Sequence, residues 1–135
     1  MAGSRGPLVV RGTSRVLGSA RGIDCTQVNT DTIINLPATI SKYQITAVLI
    51  TNASTTPVLA QLSAYTAAAA GGTNIVAAAV ITALSATTVI QSSTLAAGVV
   101  TTAFTANPLY ARVTVANVGA LTVDVYIIGT DLSGP

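Results

Sequence analysis

Between Leu109 and Ile127 apolar residues occupy every second position, in two runs. Leu109, Ala111, Val113 and Val115 alternate with Tyr110, Arg112 and Thr114, and Leu121, Val123, Val125 and Ile127 alternate with Thr122, Asp124 and Tyr126. A period of two sends successive side chains to opposite sides of an extended chain, so each run is predicted to be a strand with one buried face. Asn117-Val118-Gly119 separates them, and with Gly119 at the positive φ of a three-residue loop the two runs are expected to pair as a β-hairpin. In that register Tyr110 faces Tyr126, Arg112 faces Asp124 and Thr114 faces Thr122 on the outer side. The core side then carries Leu109 with Ile127, Ala111 with Val125, Val113 with Val123 and Val115 with Leu121. Each buried Val, Leu or Ile contributes about 1.5–3 kcal/mol, against about 0–1 kcal/mol for an exposed Arg112–Asp124 pair, so burial is the stronger constraint.

The rest of the chain is nearly free of charge. No Asp, Glu, Lys or Arg occurs between Lys42 and Arg112, and charged residues make up 7% of the 135 positions, against about 25% in an ordinary domain. The longest uninterrupted aliphatic run in that interval, Ile75 to Ile81, is far shorter than the roughly 20 residues that a membrane-spanning helix needs, so no membrane partner is expected. A surface made of Thr, Ser, Asn and Ala repels its neighbours weakly, which points to a subunit that lives packed in an assembly. Cys25 is the only cysteine. It cannot form an internal disulfide and is expected to be a small buried apolar residue. Leu8-Val9-Val10 is too short for the hydrophobic region of a secretory signal, so synthesis in a cytoplasm is expected.

Residues 1–22 set Arg5, Arg11, Arg15 and Arg21 among glycines with no acidic residue. Such a stretch has little to bury and is expected to be a flexible basic arm, leaving 23–135 as the folded domain. Short β-prone runs follow. Asp31–Leu36 ends at Pro37, Tyr43–Thr51 is rich in Ile, Val and Leu, and Val58–Tyr65 alternates after the turn cluster at 52–57; the last two runs are candidates for a second hairpin. Residues 67–72 read as a small-residue connection. Residues 74–84 suit either a strand or a short helix, with strand preferred, and Thr87–Leu95 and Val99–Phe104 complete the set. Eight short strands without a long helix predict an antiparallel β-sandwich of jelly-roll type, with a seven-strand immunoglobulin-like sandwich as the alternative.

Reactive groups are scarce. The chain has no His and its four acids are Asp24, Asp31, Asp124 and Asp131, so it lacks a histidine base, an HExxH zinc site and a Ser-His or Cys-His dyad. The four Asp lack calcium-loop spacing and one Cys cannot build a structural zinc site. No catalytic, cofactor or metal residues are therefore assigned. Nucleic acid is not expected as a partner, because the body is acidic and the arm has no aromatics to stack on bases. The arm arginines Arg5, Arg11, Arg15 and Arg21 are assigned instead to contact with an acidic protein surface. Tyr110 and Tyr126 are read as subunit contacts before a sugar platform.

Three segments carry a family resemblance. Ala64-Tyr65-Thr66 with the Ala/Gly stretch 67–72 and Thr73, then Pro108-Leu109-Tyr110-Ala111-Arg112, then Asp124-Val125-Tyr126-Ile127-Ile128-Gly129 together resemble small head-decoration or cement proteins of tailed bacteriophages, over roughly residues 28–131. The resemblance implies a β-sandwich on the outer surface of a virion, a homo-oligomer such as a dimer or trimer that bridges neighbouring major capsid subunits, and no catalytic residues. A second reading places the same sandwich in a phage tail or on a surface, holding a receptor or glycan.

Overall fold

The computed structural model describes residues 14–81, 83–85 and 87–134. They form eight strands: β1 (Ser14–Asp24), β2 (Thr30–Ile34), β3 (Tyr43–Thr51), β4 (Gln61–Ala67), β5 (Gly71–Val80), β6 (Ile90–Ser92), β7 (Leu109–Val115) and β8 (Thr122–Asp131). Two four-stranded antiparallel sheets, in the orders β1-β8-β3-β6 and β2-β7-β4-β5, bury their inner faces against each other. The pairing is nested: β1 with β8, β2 with β7, β3 with β6, β4 with β5. Val48 and Ile50 of β3 and Val123, Val125 and Ile127 of β8 supply one side of the core. Leu62 and Ala64 of β4 and Leu109, Ala111 and Val113 of β7 supply the other. Tyr43 is fully buried, stacks on Phe104 with ring centres 6.0 Å apart, and donates its hydroxyl proton to the Ala106 carbonyl.

The expected hairpin of residues 109–128 does not form. Both alternating runs are strands and both stripes are buried except at Val115, which is exposed at the end of β7, but β7 and β8 lie in opposite sheets, with Leu109, Ala111 and Val113 across the core from Val123, Val125 and Ile127. A period-two stripe specifies that one face is covered; it does not specify whether its neighbour lies beside it in the sheet or opposite it in the other layer. Gly119 does take a positive φ, +90°, but in a loop that crosses between layers. The proposed second hairpin fails in the same way, since β3 and β4 also belong to opposite sheets. The consecutive strands that do pair are β4 and β5, joined through the small-residue stretch, where Ala69, Ala70 and Gly72 have positive φ.

The crossing reassigns the outer-face pairs. Arg112 is not opposite Asp124 but opposite Asp31 of β2, and its Nη1 donates to Asp31 Oδ1 at 2.9 Å. Asp31 Oδ2 also accepts the Ala69 N–H at 2.8 Å, so one carboxylate ties β2, β7 and the β4–β5 turn together. Tyr110 aligns with Tyr65 and Ile33, not with Tyr126.

Part of the expected arm is strand. Residues 14–22 belong to β1, which pairs along β8 and buries Leu17, Ala20 and Ile23. These three are spaced by three instead of two because the register shifts between Val16 and Gly18 and again between Ala20 and Ile23. Each bulge inserts residues without a partner and so erases the alternation that would have announced a strand. Arg5 and Arg11 lie outside the described residues.

Arg112 and Asp31 are largely shielded, with 14% and 19% of their side chains exposed, so their charge-assisted bond is stronger than an exposed pair. A double-mutant cycle of Arg112→Ala and Asp31→Ala in urea unfolding should return a coupling of about 1–2 kcal/mol. The same cycle with Asp124→Ala should return none. Coupling to Asp124 in place of Asp31 would restore the hairpin.

Candidate functional surface

The charged groups are dispersed in the fold. Among the described residues no group of three or more His, Cys, Asp or Glu converges. Arg15 is exposed and bonds Asp131 at 3.1 Å, whereas Arg21 lies over the Tyr126 ring, 5.8 Å from its centre. Asp124 accepts the Gly22 N–H at 2.8 Å and Asn52 Nδ2–H at 2.7 Å, which fixes the second β1 bulge to the β3–β4 connection. The Thr26 hydroxyl and N–H both donate to Asp24 and hold its carboxyl below the usual carboxylate range. Of the expected site residues, the structure therefore joins Arg21 to Tyr126 and separates Arg112 from Asp124 and Tyr110 from Tyr126. Between the sheets, Ser63 and Ser93 line a gap that holds no more than a water molecule.

Cys25 is buried and its Sγ–H points to the Ile23 carbonyl at 3.7 Å. Burial, reinforced by the neighbouring Asp24 charge, pushes the thiol up to about 11, so it stays protonated and unreactive at neutral pH. Its backbone matters more. Cys25 N–H donates to Leu121 O at 2.9 Å and Cys25 O accepts the Asn117 N–H at 2.8 Å.

That clamp belongs to the most distinctive surface of the molecule. Of twelve exposed large apolar residues among the described residues, eight lie at the end where the β1–β2, β3–β4, β5–β6 and β7–β8 connections meet. Val28 precedes Asn29, whose N–H reaches Val113 O; Val58 and Leu59 lead into β4; Val80 is opposite Gln61, which is in turn opposite Val115; Val89 precedes Ile90, which is opposite Thr51; Val118 tips the β7–β8 loop. Asn117 holds this end together. Its side chain is buried, Oδ1 accepts the Val58 N–H at 2.6 Å, and Nδ2 donates to the Val118 and Gly119 carbonyls at 3.2 and 3.1 Å. Val118 N–H donates to Val58 O at 3.1 Å. The two loops are thus locked with their polar backbone turned inward and their apolar side chains outward.

Leu59 is exposed and also sits at φ +76°, in the left-handed region. That conformation costs a non-glycine residue about 1–2 kcal/mol, and exposing a large apolar side chain gains nothing in an isolated molecule. Neither feature stabilises the isolated molecule. Sequence reasoning placed loop residues at 117–119 and Val58 at the start of an alternating run, but had no signal that the two are bonded, because the bond depends on the sheets crossing over. Comparison with protein families, with characterised proteins and with solved structures gives no match for this chain.

Replacing Leu59 by Asn, which tolerates positive φ better, should raise the stability of the isolated protein by about 0.5–1 kcal/mol. Thermal unfolding measures it; a loss of stability would mean that Leu59 packs within its own subunit. Alkaline pH supplies a second check. Burial raises Cys25 from 9.0 to about 11 and Tyr43 from 10.0 to about 12, so the unfolded chain releases these protons first. Their contribution is complete below about pH 9 and is lost as pH rises through 11 and 12. The melting temperature should fall progressively above pH 9, and Cys25→Ala should flatten that slope most between pH 9 and 10, below the 10.0 at which Tyr43 titrates in the unfolded chain.

Proposed function

We propose that this protein is a structural virion subunit that decorates and cements the head of a tailed bacteriophage, binding the outer capsid surface and bridging neighbouring major capsid subunits. The observation that carries the reading is the apolar end, eight exposed large side chains on the loops and strand ends of a charge-poor sandwich. A lone soluble protein gains nothing from such a patch, whereas a subunit enclosed by neighbours buries it. The nested order of β1 with β8, β2 with β7, β3 with β6 and β4 with β5 supports reading the sandwich as a jelly roll, an architecture used in viral capsid domains. The family resemblance of the segments 64–73, 108–112 and 124–129 points the same way.

In this role the protein has mechanical work and no reaction to perform. Each copy adds buried area across a joint between shell subunits, and many modest contacts acting together resist the pressure of packaged DNA more than any single contact would. The partners are the major capsid protein and further copies of the same chain.

Heads assembled without the protein should form but release DNA at a lower temperature than complete heads. Purified protein added back should bind them to saturation and restore the release temperature. Heads equally robust without it, on particles that fail to adsorb to cells, would replace this reading with the tail or receptor-binding one.

A further inference from the structure

The apolar end needs an apolar occupant, and the chain carries one. Leu8-Val9-Val10, flanked by Arg5 and Arg11, precedes β1. An extended chain advances at most about 3.6 Å per residue, so Val10 lies no more than about 15 Å from Ser14. β1 starts at Ser14, opposite Thr130, and finishes at Asp24, opposite Thr122 and beside the β7–β8 loop. Its 11 residues place the apolar end about 30 Å from the point where the preceding segment begins. Leu8-Val9-Val10 therefore falls short of the apolar end of its own molecule. The apolar end of a neighbouring molecule, set against the start of β1, is within reach.

Charge favours the same arrangement. The end where β1 starts carries Arg15 and Lys42 beside Asp131, with Arg11 and Arg5 ahead of it. The apolar end is bordered by Asp24, at the finish of β1, and by Asp124, one row further in, with Arg21 over the Tyr126 ring behind them. A head-to-tail contact sets the arginine-bearing segment against Asp24.

We propose that Leu8-Val9-Val10 of one chain seats on the apolar end of the next, against Val58, Leu59 and Val118, linking copies head to tail. The contact is heterologous, since donor and receiver are different surfaces, so it propagates from copy to copy until a ring closes or the shell ends it. This deepens the reading of that end as a contact surface by naming its occupant.

Three full-length chains test it by sedimentation velocity with purified protein and no shell present. The wild type should sediment as multiples of 13.4 kDa. A donor variant with Leu8→Asp, Val9→Asp and Val10→Asp should sediment as single chains, and so should a receiver variant with Leu59→Asp and Val118→Asp. An equimolar mixture of the two variants should form pairs and stop there, because it contains one intact donor and one intact receiver surface. Thermal melts confirm that both variants fold; should the double receiver variant unfold, Leu59→Asp alone replaces it. A wild type that stays a single chain, a donor variant that associates like the wild type, or folded variants that fail to pair on mixing would each overturn the proposal. Because no shell is present, failure here leaves head binding standing, and failure to bind heads leaves this contact standing.

Discussion

Mutual burial of the two inner sheet faces is the constraint from which the rest of the molecule follows. Each long strand offers one apolar stripe, and with no long helix among the described residues the cover for that stripe is the stripe of the opposite sheet. Every connection except β4–β5 therefore passes from one layer to the other. Sheets stacked about 10 Å apart require loops long enough to span the gap, and these loops pile up at the two ends of the sandwich. The close approach at the bulge in β3 shows how tightly the frame is drawn: a Cβ on Gly129 would stand 1.9 Å from the Gln44 carbonyl oxygen.

The same constraint explains what could be read from the chain and what could not. Strand β3 was legible to the residue because Tyr43–Thr51 is a dense apolar run bounded by turn residues. In β7 and β8 the alternation revealed which side chains are buried, Val115 excepted, and Gly119 its positive φ, yet not their neighbours, because a stripe encodes burial and not adjacency. β1 was hidden by its two bulges, which spread Leu17, Ala20 and Ile23 to a spacing that no strand pattern matches. Arg112 was visibly an outer-face residue. Its partner Asp31 is 81 positions away in the chain, and only the order β2-β7-β4-β5 brings them together.

The candidate surface was less legible than the fold. Composition showed that this chain is poor in charge, but exposed valines look like core valines in a sequence. The left-handed Leu59 and the buried Asn117 are products of tertiary structure: an asparagine in a loop ordinarily signals a turn, and here it bonds a second loop nearly sixty residues away. The two ends of the sandwich consequently differ in chemistry. One is apolar and bordered by Asp24 and Asp124, the other carries Arg15 and Lys42 beside Asp131.

Whether the apolar end is a contact surface can be decided by hydroxyl-radical footprinting of the protein free in dilute solution and within its native assembly. The account predicts that oxidation of Val58, Leu59 and Val118 is rapid in the free protein and strongly suppressed in the assembly, while Ile33, exposed on the outer face of the β2-β7-β4-β5 sheet, changes less. Equal oxidation of Val58, Leu59 and Val118 in both states would contradict it.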